Sequence, residues 1–209
     1  MRIGFLGGTF NPVHIGHIRG AISVYETFML DKAIFIPTGI PPHKKNDVAN
    51  ATYRLQMLKL AIERIDFLEV SSIEIDANKV NYTVDTIEQL KELYKNDELF
   101  FIVGTDAFYY LSSWKNYKKL LELITFIVVK RPEYDTSIII KKYRDIITFV
   151  EVDQKNNYPA KKGVVYIYTP PAFDVSSSMI REKIKKGECI TYLVPEKVEN
   201  FIMEKGLYR

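Results

Sequence analysis

The 209 residues, 47% of them apolar, suffice to bury the core of one α/β domain, and this composition argues against a disordered chain. The 29 basic and 26 acidic side chains leave a net charge of +3, which is too small to indicate a nucleic-acid partner. The single cysteine excludes an internal disulfide, and the most apolar stretch, residues 120–129, has about half the length of a membrane span. We therefore expect a cytoplasmic protein with no nucleic-acid or membrane partner, and leave open whether it forms a homo-oligomer.

The first strand, turn and helix carry the strongest signal in the chain. Residues 3–6 form an apolar run that predicts a buried strand, and residues 15–29 predict a helix. Between them lie Gly7 and Gly8, followed by the turn formers Asn11 and Pro12. An α/β sheet uses this order of strand, glycine-rich turn and helix to present backbone N–H groups to a phosphate. On this hypothesis the two glycines let the backbone approach a ligand with no Cβ in the way.

Two histidines open the predicted helix. His14 and His17 are three residues apart, so they share one face of the first helical turn. Imidazole donors beside the positive end of a helix dipole suit negative charge that grows on a phosphate oxygen during a reaction. We therefore predict both as catalytic residues, and expect Gly16 between them to leave room for a base or a phosphate.

Other kinds of site fit this stretch less well. The dinucleotide fingerprint is absent because Gly4, Gly7 and Gly8 have the wrong spacing, and no Gly-Lys-Ser/Thr of a P-loop follows. A zinc site would need further ligands, and the remaining histidine and cysteine are His43 and Cys189. A tight turn with two half-exposed histidines is the plain alternative.

The rest of the chain alternates between the two kinds of element. Further strands are predicted at 32–37, 67–71, 98–103, 125–129, 147–152 and 164–168. Helices are predicted at 52–64, 82–96, 137–143, 177–187 and 195–206, whereas 73–81 is expected to be irregular. Thr83 is expected to be the N-cap of the helix 82–96. This order predicts a Rossmann-like open parallel sheet with helices on both faces, with the very hydrophobic strand 98–103 at its centre. We expect one domain over 1–209, with a small helical part at 175–209 completing the ligand site.

Loops at the carboxyl ends of parallel strands line the ligand crevice of such a sheet. The proline-rich loop after the second strand carries Lys44, which could reach a phosphate or be a solvated loop tip. Gly104 and Asp106 follow the strand 98–103. Asp106 could accept from ribose hydroxyls or cap the short helix that follows, and spacing alone does not decide between these roles.

A second turn feeds a helix N-terminus near residue 177. Ser177 and Ser178 supply hydroxyl donors beside the free N–H groups of the first helical turn. Arg181 is three residues from Ser178, so both lie on one face, where a guanidinium can bind phosphate oxygens in a fork. The plain alternative is a serine cap with an exposed arginine.

Several of these stretches resemble those of a known family. Residues 9–17, ending in His14, Ile15, Gly16 and His17, resemble the His-x-Gly-His signature of the nucleotidyltransferase superfamily. The Gly-Gly-Thr-Phe-Asn-Pro form, Pro-Pro-His-Lys at 41–44 and Tyr-Thr-x-Asp-Thr at 82–86 are similar to the nicotinate-nucleotide adenylyltransferases in particular. That family's Ile-Ser-Ser-Thr-x-Ile-Arg reads Val-Ser-Ser-Ser-Met-Ile-Arg at 175–181, and both departures keep the chemistry.

The resemblance implies transfer of the adenylyl group of ATP to nicotinate mononucleotide, giving nicotinate adenine dinucleotide and pyrophosphate on the route to NAD. It also implies Mg²⁺ that is held by the phosphates rather than by protein ligands. The residues it implies for ATP are Gly7, Gly8, Thr9, Phe10, His14, His17, Lys44, Gly104, Asp106, Ser177, Ser178 and Arg181. Those it implies for nicotinate mononucleotide are Asn11, Lys44, Tyr82, Thr83, Trp114 and Arg131.

Within the second set, the backbone at Tyr82 and Thr83 would bind the pyridine carboxylate at a helix start, and Trp114 would stack on the ring. Two other functions stay open. One is a sister transferase, such as a phosphopantetheine adenylyltransferase or a cytidylyltransferase, whose members typically carry Asp in place of Asn11. The other is a non-catalytic nucleotide-binding protein that has kept the pocket.

Overall fold

The structure, a computed structural model, describes residues 1–39, 48–76, 80–131, 134–171 and 173–209. Its strands are β1 (Arg2–Gly8), β2 (Lys32–Pro37), β3 (Leu68–Val70), β4 (Glu98–Gly104), β5 (Thr125–Val129), β6 (Thr148–Val152) and β7 (Val164–Tyr168). Its helices are α1 (Ile15–Thr27), α2 (Ala51–Ile62), α3 (Ile73–Asp76), α4 (Thr83–Leu93), α5 (Thr105–Tyr109), α6 (Tyr117–Leu123), α7 (Thr136–Tyr143), α8 (Ser177–Lys185) and α9 (Glu196–Glu204).

The strands form one sheet in the order β3-β2-β1-β4-β5-β7-β6, and all neighbouring pairs are parallel. This confirms the predicted open parallel sheet, and β4 is its middle strand, as its hydrophobicity predicted. Within the sheet, β2 pairs with one edge of β1, and β4 pairs with the other edge. The loops after β1 and β4 therefore leave a crevice between them, which is where open α/β sheets bind ligands.

Helices cover both faces of the sheet, as an all-parallel sheet requires. On one face, Phe5 and Phe101 pack into a core with residues of α4, α6 and α7. On the other face, Phe35 packs into a core with residues of α1, α2, α8 and α9. Among the described residues, no helix is both long and apolar enough to cross a membrane.

Two local predictions were wrong. The stretch 73–81, expected to be irregular, contains the short helix α3, whose first turn is closed by bonds from Ile75 N and Asp76 N to Ser72 O (2.8 and 2.9 Å). Thr83, expected to cap α4, is its first helical residue instead, and Tyr82 holds the cap position in an extended conformation. The other predicted elements are present, with boundaries that differ by a few residues.

Candidate active site

The two glycines at the carboxyl end of β1 are needed for packing. A Cβ on Gly7 would lie 2.7 Å from Cζ of Phe101, and one on Gly8 would lie 3.0 Å from Cζ of Phe10. The space beside both glycines is therefore filled by the protein's own aromatic rings. The predicted contact of the glycine backbone with ATP stays a prediction.

Phe10 supports the histidine pair from within the core. It adopts a left-handed conformation (φ 50°) and is 3% exposed. Its ring lies edge-on to the rings of His17 and Phe35, at centroid distances of 5.1 and 5.5 Å. Because its side chain is buried, the predicted contact of Phe10 with ATP is also left to the backbone.

The two imidazoles of the His-x-Gly-His stretch stack on each other, with centroids 3.6 Å apart and planes 28° apart. The backbone N–H of His14 donates to Nδ1 of His17 (3.3 Å). Since Nδ1 of His17 is thereby an acceptor, a neutral His17 carries its proton on Nε2, which is then a donor. Nδ1 of His14 is buried without a hydrogen-bond partner among the described residues. The two imidazoles therefore have ring nitrogens that can form hydrogen bonds to a bound anion.

Burial keeps both histidines neutral. It lowers the pKa of His14 to about 4, with a further contribution from the positive charge of Arg131. Burial also lowers the pKa of His17 well below 6.5, and the neighbouring His14 and Arg131 lower it further. A polyphosphate beside the pair would favour the protonated forms, since opposite charges stabilise each other.

Acidification is expected to destabilise the protein through His14. Its pKa is about 4 in the folded protein and about 6.5 in an unfolded chain. Between these values the unfolded chain binds more protons, so the free energy of unfolding falls as the pH is lowered, by ~3 kcal/mol over the whole window. Denaturant unfolding at about pH 7 and about pH 5 measures this. A His14→Asn variant should lose less stability over that interval. An equal loss in both proteins would show that the lowered pKa of His14 is not the cause.

Gly16 allows two segments to meet. A Cβ at this position would lie 3.0 Å from Cγ1 of Val175 and 3.1 Å from Nδ1 of His14. The space that was expected to hold a base or a phosphate is therefore occupied by these two side chains. The expectation was wrong because the spacing of a motif does not reveal that residue 175 packs against it.

We expect Gly16→Ala to lower kcat/KM by about tenfold, because its methyl group displaces either Val175 or His14 by a few tenths of an ångström and positioning errors are costly in catalysis. Gly20→Ala, in the same helix, is the matched control, since a Cβ there meets nothing within 4 Å. The control should keep parental kinetics and gain stability from the better helix propensity of alanine. Equal kcat/KM values for the two variants would show that a methyl group at residue 16 does not displace Val175 or His14 enough to affect catalysis.

The second predicted helix start lies against the first loop. Ser177 begins α8, as predicted, and its Oγ donates to the carbonyl of Pro12 (2.8 Å). Arg181 donates through Nη1 to the carbonyl of Asn11 (2.8 Å) and through Nη2 to Oγ of Ser178 (3.3 Å). The start of α8 is thus hydrogen-bonded to the loop that leads into α1, so the two helix N-termini predicted from the sequence lie side by side.

The end of β4 contributes a charged pair. Gly104 caps α5, so the alternative of Asp106 as the cap was wrong, and Asp106 lies in the first helical turn. Nε of Arg131 lies 3.3 Å from Oδ1 of Asp106, and the backbone N–H of Arg131 donates to Oγ1 of Thr105 (3.1 Å). The positive charge of Arg131 also lowers the pKa of His14, so this pair is close enough to the histidines to act on them electrostatically.

A third group lies on the α4 side. Tyr82 is exposed at the start of α4, and Nζ of Lys115 lies 4.5 Å from its ring centroid and 3.0 Å from Oδ2 of Asp85. Trp114 is half-buried and packs edge-on against Phe101 (centroids 6.5 Å apart), the ring that also fills the space beside Gly7. Packing therefore connects Trp114 to the carboxyl end of β1.

The predictions did not include Arg54, which is 1% exposed and holds the loops of the site together. Its guanidinium donates to the carbonyls of Thr9 (2.8 Å), Thr38 (2.6 Å), Gly39 (3.0 Å) and Ala49 (3.0 Å). These carbonyls belong to the loop after β1, the loop after β2 and the segment before α2. The available signal was that Arg54 precedes the buried Leu58 by four residues, which puts a charge on the apolar face of the helix.

Glu74, also not predicted, connects the loop after β2 to α4. Its carboxylate accepts from Oγ1 of Thr86 (2.9 Å) and from the backbone N–H of Gly39, while burial raises its pKa. Nδ2 of Asn81 donates to its carbonyl (2.6 Å), and a Cβ on Gly39 would collide with that same carbonyl. The start of α4 is thereby fixed relative to the loops that Arg54 holds.

Lys44 lies outside the described residues. Within the described ranges, no group of three or more His, Cys, Asp or Glu side chains could hold a metal ion. The remaining predicted contacts with ATP and with nicotinate mononucleotide stay predictions.

Comparison with known proteins identifies the family. The sequence model of the cytidylyltransferase-like family matches residues 5–183. The chain is 41% identical to the probable nicotinate-nucleotide adenylyltransferase of Desulfitobacterium hafniense strain Y51, over 100% of this chain and 96% of that one. It is 39% identical to the nicotinate-nucleotide adenylyltransferase of Bacillus subtilis strain 168, over 99% of this chain and 98% of the relative. The chain belongs to the nicotinate-nucleotide adenylyltransferase family.

A solved structure supports the fold. Plasmodium falciparum nicotinic acid mononucleotide adenylyltransferase, complexed with NaAD, is similar with a TM-score of 0.76 over 99% of this chain and 97% of that one. The sequence identity is 20%, so this likeness shows the α/β nucleotidyltransferase fold alone. Family membership makes the chain a nucleotidyltransferase, and the roles of His14 and His17 stay predictions.

Proposed function

We propose that this chain transfers the adenylyl group of ATP to nicotinate mononucleotide, forming nicotinate adenine dinucleotide and pyrophosphate. A phosphate oxygen of the mononucleotide attacks the α-phosphorus of ATP in line. The bond from that phosphorus to the bridging oxygen of the β-phosphate breaks, and pyrophosphate leaves with the electron pair. No protein nucleophile is needed, so catalysis consists of positioning and charge stabilisation.

The observation that carries this proposal is the joining of the two helix N-termini. Ser177 and Arg181 donate to consecutive carbonyls of the loop that leads to His14 (both 2.8 Å). The N–H groups at the starts of α1 and α8 therefore lie next to each other, at the point of the sheet where ligands bind. One polyphosphate can interact with both helix ends at once.

Charge supports the same proposal. The neutral histidines offer N–H donors before ATP binds, and become better partners as charge grows on the phosphate oxygens. Arg131 and Arg181 add permanent positive charge, and Asp106 offers an acceptor for ribose hydroxyls. Mg²⁺ prefers oxygen ligands and is commonly carried on substrate phosphates, which suits a site of imidazoles and few carboxylates. When bound, it would neutralise charge on the triphosphate.

The acceptor is proposed to bind on the α4 side. Free N–H groups at the start of α4, around Tyr82 and Thr83, suit the carboxylate of the nicotinate ring. Trp114 offers an aromatic face nearby, and Asn11 and Lys44 are proposed as further contacts. Cytoplasmic location stays a prediction, and self-association stays open.

Pyrophosphate release with ATP and Mg²⁺ tests the proposal, with nicotinate mononucleotide compared against its amide. We expect a strong preference for the acid, because helix N–H groups stabilise a carboxylate and not an uncharged amide. Equal use of both substrates would refute the proposal that the start of α4 binds the carboxylate. Release only with phosphopantetheine, or only with CTP and an alcohol phosphate, would assign the chain to a sister reaction, and nucleotide binding without any release would make it a non-catalytic protein.

A further inference from the structure

Tyr208, in the segment that follows α9, reaches the loop of the active site. Its hydroxyl lies 2.8 Å from Oδ1 of Asn11, a residue that is 5% exposed. The backbone N–H of Ala49 lies 2.9 Å from the same oxygen. Two parts of the chain far apart in sequence therefore bind one side-chain atom of the loop that leads to His14.

The direction of these bonds is fixed by chemistry. A backbone N–H can only donate, so the atom facing Ala49 must be the amide oxygen of Asn11 rather than its nitrogen. The phenol of Tyr208 must then be the donor to that oxygen. The raised pKa of Tyr208, caused by burial, keeps the phenol protonated and able to donate.

The segment after α9 is itself built to hold the ring in place. Leu207 N donates to Ile202 O (3.0 Å), which folds the chain back over the end of α9. Tyr208 then adopts a left-handed conformation (φ 66°), which a bulky residue seldom takes without compensating contacts. Its ring packs against the core cluster that contains Phe10, whose ring lies edge-on to that of His17.

The loop is held from other sides as well. Arg181 binds the backbone carbonyl of Asn11, and Arg54 binds the carbonyl of Thr9, two residues earlier. The phenol of Tyr208 is the contact that fixes the Asn11 side chain to the last helical segment. Without it, Oδ1 of Asn11 loses one of the two donors that bind it, and the loop gains freedom at the residue that starts the turn into His14.

We propose that Tyr208 is a positioning residue for adenylyl transfer, which acts through Asn11 to hold the loop that places His14 and His17. The inference rests on the proposed function for the reaction, and on geometry alone for the positioning. Tyr208 touches neither histidine, so its effect is on where the imidazoles lie and not on their chemistry.

Tyr208→Phe tests the proposal, because it removes one oxygen atom and keeps the ring. We expect kcat to fall about tenfold, with KM values for both substrates changed by less than about threefold, since misplaced charge stabilisation costs more in the transition state than in the ground state. Tyr166→Phe is the matched control. It also removes a phenol that donates to a fixed acceptor, the carbonyl of Pro159 (2.9 Å), and it should keep the parental kcat.

Two further measurements separate positioning from general stability. An Asn11→Ser variant should lose activity, and adding Tyr208→Phe to it should have little further effect, because coupled residues are not additive. The imidazole C–H signals of His14 and His17 in NMR spectra should shift in Tyr208→Phe and stay in place in Tyr166→Phe.

Parental kcat in a folded Tyr208→Phe protein, additive losses with Asn11→Ser, or unmoved imidazole signals would each overturn the proposal. Absence of pyrophosphate release in the parent protein would refute the proposed reaction instead. In that case the imidazole signals still decide whether Tyr208 holds the loop.

Discussion

Replacing His17 with alanine is expected to lower kcat by a factor on the order of 10²–10³, which is the usual cost of losing one donor that stabilises transition-state charge. The fixed tautomer supports this role, because the bond from His14 N to Nδ1 of His17 leaves the Nε2 proton for the substrate. The fold should persist, since the loop keeps its bonds to Arg54 and Arg181. Single-turnover kinetics and circular dichroism of the same preparation measure both effects.

A second variant separates chemistry from packing at this position. His17→Leu keeps a side chain of similar volume beside Phe10 but carries no hydrogen-bond donor, so its kcat should fall as far as that of His17→Ala. Near-normal turnover in either folded variant would remove His17 from the catalytic residues.

Replacing Arg54 with methionine is expected to lower the free energy of unfolding by roughly 3–5 kcal/mol, because buried carbonyls lose a charged donor. Arg54 is 1% exposed and donates to four carbonyls, so no water can readily take its place. Burial lowers its pKa, yet a guanidinium stays charged in a protein. Thermal unfolding measures the loss as a fall in Tm of about 10 °C for a protein of this size.

Arg64→Met is the control for this substitution. Arg64 is exposed just after the same helix, so its loss should change stability by less than about 0.5 kcal/mol. An Arg54→Met protein as stable as the control would show that the four contacts contribute nothing net, and that the loops are held by other means.

The sequence predicted what is encoded locally. Strand β4 was placed at the centre of the sheet from its hydrophobicity alone, and the two helix starts at His14 and Ser177 were found from short motifs with a physical role. Such features depend on a few adjacent residues, so they are readable without knowledge of the fold. Resemblance then supplied the reaction, which no periodicity or composition could have given.

The remaining parts of the site depend on contacts between distant residues. The pairing of Gly16 with Val175 joins positions far apart in the chain, and the carbonyls that Arg54 binds come from three separate segments. Tyr208 gave no signal, because a tyrosine near the end of a helical segment is usually packing or surface. The packing of Phe101 and Phe10 beside Gly7 and Gly8 could not be predicted from the motif either, because close packing of an interior depends on the folded arrangement.

The three donors that bind residues 11 and 12 have a consequence for synthesis on the ribosome. Ser177, Arg181 and Tyr208 lie 165, 170 and 197 positions after the loop residues that they bind. The loop is therefore synthesised well before its partners. A nascent chain that already contains the histidine pair lacks these contacts until residues 177, 181 and 208 have been added, so the loop takes its final shape late in synthesis.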